Sequence, residues 1–64
     1  MQKMQFEVKE GSNELIIKVC KQREGGYELT VYVQEGFFDP SRVELTLGKK
    51  ALEGLIRDLQ KLLE

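Results

Sequence analysis

The sequence predicts an α+β domain of order ββββα: a four-stranded antiparallel β-meander with one C-terminal α-helix packed on one face. Three observations predict it. Apolar and polar residues alternate in four stretches, which is the strand period of two. Short clusters of turn residues separate those stretches, so neighbouring strands run antiparallel. In the last third, Ala51, Leu52, Leu55, Ile56, Leu59, Leu62 and Leu63 recur at spacings of three and four. At 100° per residue they fill a stripe roughly 140° wide, an amphipathic helix over about 49–63 that must bury its stripe against the strands before it.

In the first strand Met4, Phe6 and Val8 alternate with Gln5, Glu7 and Lys9. Glu10-Gly11-Ser12-Asn13 is a turn cluster. The second strand sets Leu15, Ile17 and Val19 against Ile16, Lys18 and Cys20. Arg23-Glu24-Gly25-Gly26 closes a hairpin, because paired glycines supply the positive φ of a tight turn. The third strand, 27–34, puts Tyr27, Leu29, Val31 and Val33 on one face and Glu28, Thr30, Tyr32 and Gln34 on the other. The longest connection follows, and its Asp39-Pro40 predicts a type I turn. In the fourth strand, 42–47, Val43, Leu45 and Leu47 alternate with Arg42, Glu44 and Thr46. The helix is expected to cross back over the apolar face, leaving the polar face open to water.

Sixty-four residues make a single domain, 1–64, near the lower limit of what folds without staples. One cysteine and no histidine rule out an internal disulfide and a Cys/His zinc site. At this size a chain often completes its core by oligomerising, and a homodimer is expected. The free thiol and the lack of a secretory segment point to a reducing, cytoplasmic setting. No apolar run approaches the roughly 18 residues that span a bilayer, so no membrane partner is expected. Ten Lys and Arg against eleven Asp and Glu give a net charge of −1, which argues against a strong non-specific duplex-DNA binder.

Catalysis finds little to work with. There is no histidine, no nucleophile motif and no glycine-rich phosphate loop, and no cofactor is expected. The open face offers more: Lys9, Lys18, Tyr32 and Arg42 suit single strands, whose sites pair cations for the backbone with aromatic platforms for bases. Lys21 and Arg23, expected in the loop of the first glycine hairpin, extend such a groove. Glu7, Glu28 and Glu44 share the face and leave it only slightly basic. Ile16, Cys20 and Tyr32 make it half-apolar, which suits a protein contact equally. Of Phe37 and Phe38, one is expected to fold over the core edge and the other to serve base stacking or a subunit contact. Lys49 and Lys50 open the helix, where cations oppose its dipole.

The segment Val43-Glu44-Leu45-Thr46-Leu47-Gly48-Lys49-Lys50-Ala51-Leu52-Glu53-Gly54-Leu55-Ile56-Arg57-Asp58-Leu59 resembles the strand-to-helix segment of the PUR repeat in Pur-alpha-like proteins. Tyr32-Val33-Gln34-Glu35-Gly36-Phe37-Phe38-Asp39-Pro40 is similar to the third strand and aromatic-Asp-Pro turn of the positive-cofactor-four-type domain. Both families bind single-stranded nucleic acid on a curved sheet and work as dimers or paired repeats. The resemblance implies contacts at Lys9, Lys18, Tyr32, Arg23 and Phe37. The expectation is a non-enzymatic homodimer that binds single-stranded DNA or RNA through Lys9, Lys18, Lys21, Arg23, Tyr32 and Phe37. The alternative is a protein-interaction or structural module that dimerises or binds a protein partner.

Overall fold

The computed structural model describes residues 2–64. Strands β1 (Lys3–Glu10), β2 (Asn13–Lys21), β3 (Tyr27–Gln34) and β4 (Ser41–Leu47) form one sheet in the order β1-β2-β3-β4, followed by helix α1 (Lys49–Leu63). All three pairings are antiparallel. The α+β ββββα architecture is therefore the one the hydrophobic pattern predicts.

Each turn has a local cause. Glu10 pairs with Asn13, leaving Gly11 and Ser12 as a two-residue loop with Gly11 at φ +60. Glycine at the first of two central positions is the mark of a type II′ hairpin, whose twist matches that of the strands. Gly36 stands at φ +58 in a second turn of the same sense, closed by the Phe38 N–H donating to the Glu35 carbonyl at 3.1 Å. This corrects the expected turn at Asp39-Pro40: glycine reaches positive φ without strain, so the chain reverses three residues earlier and Asp39-Pro40 leads into β4 without a turn of its own. The Gly36 N–H also donates to Asn13 Oδ1 at 2.9 Å, tying this loop to the β1–β2 turn.

Register sorts the side chains cleanly. Val19 lies between Met4 and Leu29, and Ile17 between Phe6 and Val31. Leu29 and Val31 in turn face Leu45 and Val43. One face of the sheet is thus almost wholly aliphatic. At its centre Leu29, 6% exposed, is the one buried hydrophobic residue among those described.

Helix α1 starts where Gly48, extended at φ −72 and ψ 166, lets its carbonyl accept from the Leu52 N–H at 3.1 Å. No side chain caps it and no acid lies in its first turn. It covers the sheet less fully than its stripe predicts. Leu52 is half-buried, but no helix residue is buried, and Leu59 keeps 52% of its surface exposed. The physical reason lies in the connection: Gly48 alone separates β4 from α1, so the helix has little freedom to fold back along the sheet.

Candidate functional site

The polar face is built from the alternate residues of the same strands. Four rows cross it: Lys9–Glu14–Gln34, Glu7–Ile16–Tyr32–Arg42, Gln5–Lys18–Thr30–Glu44, and Lys3–Cys20–Glu28–Thr46. At the centre Glu14, Ile16, Lys18, Thr30, Tyr32 and Arg42 line a shallow, open depression of about 350 Å³. Tyr32 lies directly between Ile16 and Arg42 on the neighbouring strands. Directly opposed side chains in an antiparallel pair have Cβ atoms about 5 Å apart. The phenol hydroxyl of Tyr32 donates to Gln34 Oε1 at 3.3 Å.

The expected site residues separate into three groups. Lys18 and Tyr32 share the depression. Lys9 lies on the same face but at its far end, opposite Glu14. Lys21 is not in a loop: it is the last residue of β2, it pairs with Tyr27, and by alternation it falls on the aliphatic face with Val19. Arg23 sits in the β2–β3 loop at the opposite end of the sheet from Lys9. Seven residue steps along β2 lead from Glu14 to Lys21, about 23 Å at the rise of a strand. One strip of cations therefore does not form.

Phe37 is also elsewhere, at the tip of the β3–β4 loop. It is 100% exposed and Phe38 76%, so neither ring folds over a core edge within the chain. This corrects the expected core role. With Gly36 tethered to Asn13, the loop is held at the edge of the sheet beside the β1–β2 turn and does not lie across it.

Two residues of this face join the pattern only through the strand bounds seen in the structure. β1 begins at Lys3 and β2 at Asn13, which brings Lys3 and Glu14 onto the polar face. The face then carries Lys3, Lys9, Lys18 and Arg42 against Glu7, Glu14, Glu28 and Glu44, so its formal charge cancels. Arg42 is ion-paired with Glu44, the one ion pair among the described residues, while Lys18 has none. Both partners of that pair are well exposed, so the pair opens at little cost. The arrangement is thus an aromatic ring and an aliphatic neighbour flanked by two cations, in a face of balanced charge.

Among the described residues no cluster of three or more His, Cys, Asp or Glu is placed to hold a metal ion. No helix among them is long and apolar enough to cross a membrane. No protein-family model matches the chain, and no curated protein or solved structure does either.

Proposed function

We propose that this chain is a non-enzymatic binding domain that holds single-stranded nucleic acid on its polar sheet face. The observation that carries this reading is the central depression, where Tyr32 lies between Ile16 and Arg42 with Lys18 one row away. A base stacks on the phenol ring, with Ile16 as an apolar flank, while Lys18 and Arg42 meet the adjoining phosphates. Stacking on one aromatic contributes about 1–3 kcal/mol per base and tolerates any sequence. The balanced charge limits the phosphate term to the two cations of the depression, so binding is driven mainly by stacking. Lys21 has no part in it, and Arg23 lies at the opposite end of the sheet from Lys9 and the Phe37 loop, so the three do not engage one nucleotide together.

The test is fluorescence anisotropy of a labelled 20-mer single strand titrated with protein at 50 and 200 mM salt. Saturable micromolar binding is expected. With two phosphates neutralised on a single strand, affinity should fall about 7-fold between those salt concentrations. Tyr32→Ala should weaken binding about 10-fold or more, and Lys21→Ala should leave it unchanged. Absence of binding at 50 mM salt, or binding indifferent to Tyr32→Ala, sinks the proposal.

A second reading has its own observation. Four carboxylates interleave with four cations around the half-buried Ile16, Cys20 and Tyr32, a mixed surface that suits a protein partner better than a polyanion. A negative titration with single strands leaves that reading standing.

A further inference from the structure

We infer that a second copy of this chain covers the aliphatic face, the two chains meeting as an isologous dimer that buries the stripe of α1 together with the open part of the sheet. Three observations carry this, and none depends on what the polar face binds.

The first is surface area. A compact monomer of 7.4 kDa exposes about 4,200 Å². This chain exposes 5676 Å², roughly 1,500 Å² more than that scaling gives. Removing the excess from two chains buries about 3,000 Å² in total, inside the range of obligate homodimers and beyond that of transient contacts. The second is dimension. The radius of gyration is 13.4 Å, where about 10.7 Å is expected for 64 compact residues and about 13.9 Å for 128. One chain already has nearly the span of a compact pair.

The third is the chemistry of the face. Phe6, Val43, Leu45, Leu55, Ile56 and Leu59 are each 41–53% exposed, half-covered by their own chain and left for another surface to finish. The sheet part of this face is free of charge except at its rim, where Glu10 and Lys21 stand. A two-fold axis sets the same patch against itself, so a patch of one charge sign would repel its copy, whereas the sheet part of this one carries charge only at its rim. A partner of marked charge finds nothing here to recognise. Alone, the chain buries a single hydrophobic side chain among the described residues, far too little to offset the entropy of ordering the chain. The second copy is therefore part of the fold.

Sedimentation equilibrium of the full chain from 1 to 100 µM tests the inference, alongside isotope-filtered NOE spectra of mixed labelled and unlabelled protein. The expected mass is twice 7.4 kDa, that is 14.8 kDa, with intermolecular NOEs between the side chains of β1 or β4 and those of α1. Leu59→Lys should weaken association at least 100-fold, and Ile16→Lys, on the opposite face, should leave the mass unchanged. If Leu59→Lys fails to fold, the mass and NOE readings of the unaltered chain decide alone. A folded monomer at 100 µM overturns the inference, as does a chain that stays monomeric and unfolded and so needs a different partner. A dimer whose NOEs fall on Ile16 and Tyr32 overturns it too, and removes the nucleic-acid site with it.

Discussion

Leu29 and Tyr32 sit three residues apart in β3 on opposite faces of the sheet, and they carry opposite burdens. Leu29 is enclosed by Val19 and Leu45 on the neighbouring strands and is 6% exposed. Truncating it to alanine removes buried methyl groups and leaves a void that neighbouring strands cannot close. Leu29→Ala should therefore lower stability by about 3 kcal/mol, read as a fall in the urea midpoint. Tyr32 instead holds its ring at a half-open surface through a long bond to Gln34, so its truncation should alter binding far more than folding. Its position between Ile16 and Arg42 follows from β3 pairing with β2 on one side and β4 on the other. Alternation in the sequence puts Tyr32 on the polar face. Which residues become its neighbours is set by register, which the turns at Gly25-Gly26 and Gly36 impose.

The strands and the helix were legible because their periods are unmixed. β3 matches its expected span of 27–34, and α1 matches 49–63, since nothing in either stretch competes with its period. The long β3–β4 connection was not legible, because Asp39-Pro40 and Gly36 both offer a turn and the tether to Asn13 favours Gly36. Lys21 was misplaced for a related reason: the hairpin tightens at Gln22, whose N–H donates to the Gly26 carbonyl at 3.1 Å, so β2 runs longer than the glycines suggest. Within α1, Gly54 stands on the helix interior with no atom within 4 Å of where a Cβ would lie. Gly54→Ala should stabilise the protein by about 1 kcal/mol, since alanine loses less backbone entropy there. That raises the melting temperature by about 4–8 °C for a domain of this size, measured by circular dichroism.

Considered whole, the molecule is a sheet with two unlike faces. The polar one has balanced charge and a central aromatic depression; the aliphatic one is broad and only partly covered by α1. If a second copy covers the aliphatic face, folding and self-association are one equilibrium, and stability depends on protein concentration. A 100-fold increase in concentration adds about 2.7 kcal/mol to the stability of the pair. With an unfolding entropy near 2.1 cal/mol/K per residue over two chains, the melting temperature should rise by roughly 10 °C. A melting temperature that does not move with concentration would mark a self-sufficient monomer.

The order ββββα, the spans of β3 and α1 and most of the division of side chains between two faces were present in the chain's own pattern. Periods of two and 3.6 are local properties that any single pass along the sequence detects. Three things waited on the assembled sheet: the scattering of Lys9, Lys21, Arg23 and Phe37 to different ends and faces, the arrival of Glu14 and Lys3 that cancels the charge of the polar face, and the incomplete cover that α1 gives the aliphatic one. Each depends on distances between residues far apart in the chain, and those distances are set by turn geometry and by how closely layers meet, quantities that a one-dimensional pattern does not contain.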